Sequence, residues 1–242
     1  MILLKAAFPQ HVVKYHQVIA STMRSVKDDP YPAIHWAKEQ TAGVGQYGRQ
    51  WCSQTGGLYV SLRDCVQLDQ HQLCSMAQLG AVAVAKTLRT HRCSVKIKWP
   101  NDLYLGSKKL GGILVEIESL GGKDYIYTLG LGLNMVTPKD VENAVGLDGC
   151  LGCHVKDENI LIQCIKNWYD ALGLFRKEGI EAFKDTWSQM DYLDGKQVTV
   201  QAGDEMHAGI GAGIDASGSL LLNMSTGGQL SFDHQSFIID IK

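Results

Sequence analysis

The sequence predicts an α+β fold that ends in a small all-β unit, and three observations carry that prediction. Ile113, Val115 and Ile117 share one face of a segment whose other face holds Leu114, Glu116 and Glu118, the period of two of a half-buried strand. Leu161, Ile165, Trp168, Leu172 and Phe175 step by four and three, which lays one apolar stripe along a helix. From Lys196 onward the chain breaks into short alternating segments (Val198 and Val200; Ile210 and Ile214; residues 220–222 and 237–241). Turn residues at Gly203-Asp204, Ala216-Ser217-Gly218 and Gly227-Gly228 separate them, as in a small β barrel.

The other elements follow in order. Residues 12–19 are a strand candidate, and Ser21-Thr22-Met23 marks a helix start, where hydroxyls satisfy free backbone N–H groups. Asp28-Asp29-Pro30 stops that helix, and residues 34–39 suit a strand. The glycine-rich, polar stretch 41–57 is a loop, followed by a strand over 58–62. Residues 76–88 are apolar on nearly every side and predict a buried helix. Strands are expected over 95–99, 103–105, 113–118 and 125–133, and Ala182, Phe183 and Trp187 suggest a last short helix. The expected division is an α+β domain over residues 1–190 and a β domain over 191–242.

Composition narrows the function classes. At 242 residues and 45% hydrophobic content the chain is long enough for a large core. A net charge of −2 supplies no general field for nucleic acid or anionic membrane, so any anion site must be a local cluster. No apolar run approaches the roughly 18 residues needed to cross a bilayer, and the N-terminus turns polar too early for a signal peptide. Seven scattered cysteines do not read as a disulfide framework, which leaves a cytoplasmic chain as the expectation.

Gly43-Val44-Gly45-Gln46-Tyr47-Gly48 matches the dinucleotide-binding glycine pattern, but Arg49 to Gly57 cannot continue the helix that pattern must open. What remains is a surface loop, or a flexible cover over an anionic, ring-bearing ligand. Cys150-Leu151-Gly152-Cys153-His154 matches a haem-attachment pattern, yet export is not signalled. Zinc would need a second ligand pair, so a cysteine-rich loop is the reading kept. In Lys96-Ile97-Lys98-Trp99-Pro100-Asn101-Asp102 two lysines share a strand face before a proline turn, and Lys108-Lys109-Leu110-Gly111-Gly112 leads into the next strand. A solvated hairpin and a nucleotide-phosphate site both fit that pattern. Gly130-Leu131-Gly132-Leu133-Asn134-Met135 ends a strand on glycines and an amide. Walker, zinc-protease and nucleophile-elbow sequences are absent.

Taken together and in this order, Glu39 to Trp51, Lys98 to Tyr104, Lys109 to Glu116 and Gly130 to Met135 resemble the biotin protein ligases, the biotin–[acetyl-CoA-carboxylase] ligases. The resemblance implies a class II synthetase-like catalytic domain with a mixed sheet and helices, followed by an SH3-like β barrel. It implies ATP and Mg2+ as co-reactants, and biotin as substrate. Biotinyl-5'-AMP forms first, and a lysine of a biotin carboxyl carrier protein of acetyl-CoA carboxylase then takes the biotinyl group. By matching position, Lys109 and Asp102 are the catalytic pair. Ser21, Thr22, Met23, Gln40, Gly43, Val44, Gly45, Gln46, Lys109, Gly111 and Gly112 face biotin. Arg49, Trp51, Lys98, Asn101 and Asn134 face the nucleotide, and no residues are assigned to a resident metal.

Val44 and Gln46 stand where the family loop usually carries arginines, and Ala212 replaces an expected barrel arginine. A ligase for another acyl group such as lipoate, and a non-catalytic biotin or nucleotide sensor, are therefore the alternatives. With Ser21 about twenty residues from Met1 a monofunctional form without a DNA-binding domain is expected, either monomeric or homodimeric.

Overall fold

A computed structural model describes residues 1–150 and 157–242, so Cys153 and His154 of the haem-like pattern lie outside the described residues. The elements are α1 (Ile2–Ala7), β1 (Val12–His16), α2 (Thr22–Ser25), β2 (Ala33–Ala37), β3 (Gly57–Gln67) and α3 (Met76–Thr90). Then come β4 (Val95–Lys98), β5 (Asp102–Leu105), β6 (Lys108–Gly121), β7 (Asp124–Asn134), α4 (Asp157–Glu178) and α5 (Lys184–Met190). Last are β8 (Gln197–Ala202), β9 (Glu205–Ile214), β10 (Leu220–Met224), β11 (Gln229–Phe232) and β12 (Phe237–Ile241).

The fold class is α+β. Seven strands form a mixed sheet in the order β1-β2-β3-β7-β6-β5-β4, with β1 and β2 parallel and the other pairs antiparallel. Helix α3 carries buried side chains on every side because α4 covers one flank and β4 and β6 the other. The apolar stripe of α4 is buried as its spacing predicts, with Leu161, Ile165, Trp168, Leu172 and Phe175 all in the core. Among the described residues no helix is long and apolar enough to cross a membrane.

Five strands form a second, wholly antiparallel sheet in the order β11-β10-β9-β8-β12. It is fastened to the first by buried polar contacts. The Gly218 carbonyl accepts from Trp99 Nε1 at 3.0 Å and from Gln78 Nε2 at 2.7 Å, and Ser75 Oγ donates to the Ser217 carbonyl at 2.8 Å.

Some boundaries differ from the sequence expectation. Strand β1 stops at His16, short of Ile19, because Gln17 and Val18 leave the sheet; the backbones of Ile19 and Ala20 then pair with residues 39–42 as a separate ribbon. Likewise β2 covers Ala33–Ala37 rather than 34–39. Strands β3 and β6 run to 11 and 14 residues, since β3 is paired along its length with β7, and β6 with β7 from Gly111 onward and with β5 at its start. Helix α1 was not expected; it buries Leu4, whose N–H donates to Glu158 Oε1 of α4 at 2.9 Å, a contact local pattern does not reveal. Strand β11 was also missed, for it buries Phe232 alone and shows no alternation.

Burial sets a pH dependence for this fold. His11, His16, His35 and His234 are all held below the ordinary imidazole range, first by desolvation. His35 is 1% exposed and lies between Ser25 Oγ at 3.1 Å and Asp29 Oδ2 at 2.7 Å. The unfolded chain takes up protons near pH 6.5 while the folded chain resists them, so the unfolded state binds more protons just below that pH. Stability therefore rises with pH across that window and levels off above it. A melting temperature lower at about pH 5.5 than at about pH 7.5 is expected; a flat profile between them would contradict this account.

Candidate active site

A cavity of about 430 Å³ opens on the face of β6 and β7, under the glycine-rich loop. Gly112, Ile113, Leu114, Gly130, Leu131 and Gly132 contribute to its lining. The remaining wall comes from α2, the 40–52 loop, the start of β5 and residues 138–144.

Lys109 is placed by its backbone before its side chain. Its N–H donates to the Asn143 carbonyl at 2.8 Å and its carbonyl accepts from the Val145 N–H at 2.9 Å, which clamps the start of β6 against the 138–144 segment. The Nζ then lies 2.6 Å from Asp102 Oδ1 and 5.1 Å from the centroid of the Trp51 ring. Asp102 sits opposite Gly112 across the β5–β6 pair, and a Cβ on Gly112 would stand 3.1 Å from Asp102 Oδ1. Lys109 and Asp102 keep 33% and 26% of their side-chain surface, so the pair is reachable by a ligand rather than sealed.

Trp51 depends on a missing side chain. A Cβ on Gly132 would come within 2.6 Å of its Nε1 and 2.7 Å of its Cε2, so the indole packs directly on the β7 backbone. Its Nε1 is buried without a hydrogen-bond partner among the described residues, and so is Ser21 Oγ at the head of α2. Buried polar atoms are nearly always paired, so the Trp51 Nε1, on a residue of the cavity lining, is a donor for which a ligand or water could supply the partner.

A second polar chain borders the cavity. Gln40 Oε1 accepts from the Thr22 N–H at 2.8 Å and from Thr22 Oγ1 at 3.0 Å. Ser61 Oγ donates to Thr22 Oγ1 at 2.8 Å, and Gln40 Nε2 donates to Ser53 Oγ at 2.9 Å. The hydroxyl and the amide are thereby oriented in advance of any ligand.

Thr22, Met23, Gln40, Val44, Gly45 and Gln46 line the cavity, and so do Arg49, Trp51, Asn101, Asp102, Lys109, Gly112 and Asn134. Ser21, Gly43, Gly111 and Lys98 stand behind the wall. A Cβ on Gly43 would meet Ser53 Oγ at 2.5 Å, and one on Gly111 would meet the Gly132 carbonyl at 2.5 Å. Both glycines thus serve close backbone approach. Lys98 lies 5.7 Å from the Tyr104 ring centroid, and burial holds its ammonium below the usual lysine range, with Asp102 opposing and Lys109 adding. Asn101 Nδ2 donates to the Ile113 carbonyl and Asn134 Nδ2 to the Val145 carbonyl, ties that also hold the walls. The loop at Gly43–Gly48 opens no helix beyond a single 3-10 turn at Gln46–Gly48, so the dinucleotide reading has no structural support.

Two parts of the wall were missed in the sequence. Tyr104 lines the cavity, its phenol pushed up to about 12 by burial, Asp102 and Tyr192. Residues 138–144 form a whole side but carry no motif. Among the described residues no group of three or more His, Cys, Asp or Glu side chains is placed to hold a metal.

Fold and site together define an α+β protein whose pocket, with Arg49, Lys109, Asp102 and Glu142 in its lining, lies beneath a glycine-rich cover. The profile of the Biotin/lipoate A/B protein ligase family matches residues 13–134, and the chain belongs to that family. It is 33% identical over 193 residues to the bifunctional ligase/repressor BirA of Escherichia coli, covering 77% of this chain and 60% of that relative. It is 29% identical over 210 residues to the biotin–[acetyl-CoA-carboxylase] ligase of Paracoccus denitrificans, covering 80% of this chain and 85% of the relative. The chain thus spans about 60% of the length of the BirA relative it matches. The fold is that of the Aquifex aeolicus biotin protein ligase solved with biotin and ATP, with a TM-score of 0.80 at 23% identity over 94% of this chain and 98% of that one.

Proposed function

We propose that this chain joins biotin to a lysine of a biotin carboxyl carrier protein of acetyl-CoA carboxylase, through biotinyl-5'-AMP. The observation that carries the reading is the cationic Lys109, braced by Asp102 and Trp51, in the same cavity as the Thr22–Gln40 polar pair. A ureido ring both donates and accepts hydrogen bonds, which suits an amide and a hydroxyl held in fixed orientation; a dithiolane ring offers neither, which disfavours lipoate.

In the first step a carboxylate oxygen of biotin attacks the α-phosphorus of ATP, the bond to the bridging oxygen breaks, and pyrophosphate leaves. Negative charge gathers where carboxylate and phosphate meet, and Lys109 neutralises it without reorganising. In the second step the neutral carrier amine attacks the acyl carbon, the acyl carbon–oxygen bond to the phosphate breaks, AMP leaves, and the amine's proton passes to the Asp102 carboxylate or to water. Asp102, with one oxygen on Lys109, is the carboxylate proposed to receive the incoming amine. Asp102 and Glu142 are the acidic side chains of the lining, and one or two carboxylates together with the phosphates of ATP would suffice for the Mg2+ that accompanies the nucleotide. The chain's part is positioning and charge, since no covalent enzyme intermediate is required.

Incubation with biotin, ATP, Mg2+ and a carrier domain tests the reading. Pyrophosphate release with carrier labelling, competed poorly by lipoate, is expected. Neither release nor labelling would turn the assignment toward a sensor, and preferential use of lipoate toward another acyl ligase. The loop makes a further expectation. Val44→Arg and Gln46→Arg should each slow adenylate release about tenfold or more, because a charge-assisted hydrogen bond contributes about 1.5–3 kcal/mol. Stopped-flow dissociation of the adenylate measures this, and an unchanged or faster rate counts against the assigned position of the loop.

A further inference from the structure

Tyr47 stands at the tip of the glycine-rich loop and turns away from the cavity. Val44, Gly45, Gln46, Arg49 and Gln50 line the pocket, whereas Tyr47 does not. Its hydroxyl instead donates to the His234 carbonyl at 3.2 Å, and its ring lies 5.0 Å from that of Phe237, tilted by 54°. The backbone at Tyr47 is left-handed, with φ 56, a conformation that a bulky side chain rarely adopts and that costs a glycine nothing. Strain of this kind persists where surrounding contacts over-determine it. Here the Gly45 N–H donates to the Arg49 carbonyl at 2.7 Å and the Arg49 N–H to the Gln46 carbonyl at 3.1 Å, and the side-chain contacts come from the C-terminal sheet. The receiving segment is itself braced. His234 Nε2 lies 3.1 Å from Gln78 Oε1 of α3, and the imidazole lies 5.5 Å from the Trp99 ring, next to the turn that presents Asn101 and Asp102.

We propose that Tyr47 and Phe237 form a latch through which the C-terminal sheet holds the glycine-rich loop closed over the adenylate. Both are positioning residues, for neither touches the cavity. The proposal rests on reading the cavity as the adenylate site. Val44 and Gln46 leave Arg49 as the one cationic side chain that the loop brings to the cavity, so the loop is fastened to the protein as well. An aromatic latch is also insensitive to salt, unlike an arginine clamp exposed to solvent.

The test uses the full chain with Tyr47→Gly, Tyr47→Phe, Phe237→Ala and the Tyr47→Gly/Phe237→Ala pair. Two readouts are followed: tryptic cleavage after Arg49 in the ligand-free protein, and adenylate dissociation after loading with biotin and ATP. Tyr47→Gly and Phe237→Ala should each speed cleavage severalfold and dissociation up to about tenfold, the scale of one aromatic pair. Tyr47→Phe should recover most of both, and the double variant should be no worse than either single one. Wild-type cleavage and dissociation in both single variants, or effects that multiply in the double variant, would overturn the latch. Should Phe237→Ala lower the melting temperature, Tyr47→Gly, at a tip where glycine is unstrained, still decides the matter. If the parent chain forms no adenylate, the reading of the cavity fails by itself, and the ligand-free cleavage still judges the latch.

Discussion

Lys109→Ala is expected to lower the rate of adenylate formation by about 10²–10³-fold, the scale of removing one preorganised electrostatic contact from a reacting centre. The side chain is one-third exposed, and its position is set by backbone hydrogen bonds to Asn143 and Val145 that alanine keeps. Asp102, left without its partner, retains access to water, so folding should be nearly unaffected. Pyrophosphate release with biotin and ATP reads the rate, and a melting curve reads the fold. Activity close to that of the parent chain would remove the basis of the proposed chemistry. Lys109→Arg is not expected to restore the rate, because a planar fork does not replace a compact ammonium between Asp102 and the Trp51 face.

The second large effect concerns a residue with no side chain. Gly132→Ala would place a methyl 2.6–2.7 Å from the Trp51 indole. The ring cannot yield toward β7, so it must swing away from the sheet, taking the platform near Lys109 with it. Loss of ring position should raise the KM for ATP about tenfold or more, with a stability change of about 1–3 kcal/mol, as for other overpacked sites. Fluorine NMR of the chain labelled with 5-fluorotryptophan, with the Trp51 signal assigned by Trp51→Phe, would report the movement directly. An unshifted spectrum with normal KM would contradict the expected displacement of the indole.

How much of this was legible in the sequence depends on how local the signal is. Helices α3 and α4 were readable because a buried helix is apolar at nearly every position and a striped helix at every third or fourth one. Strands β4 to β7 were readable by alternation and by turn residues, although the full length of β6 depends on pairing with β7, a long-range fact. Helix α1 was hidden because Glu158, which receives Leu4, is 154 residues away. At the site, Lys109 and Asp102 lie seven positions apart and meet because a hairpin folds them together. Thr22 and Gln40 meet through the ribbon that carries residues 19–20 past residues 39–42. The wall at 138–144 had no such trace, since it is fixed by main-chain bonds to Lys109, and main-chain bonds leave no mark on side-chain choice.

Gly218 shows what its position implies for handling the chain in pieces. One carbonyl serves both Trp99 and Gln78, and a Cβ on that residue would lie 2.4 Å from Gln78 Oε1. The last fifty or so residues are therefore not an exchangeable module. A transplanted barrel, however well folded, would have to reproduce one bare turn at that spot or leave an indole and an amide beneath the pocket without an acceptor.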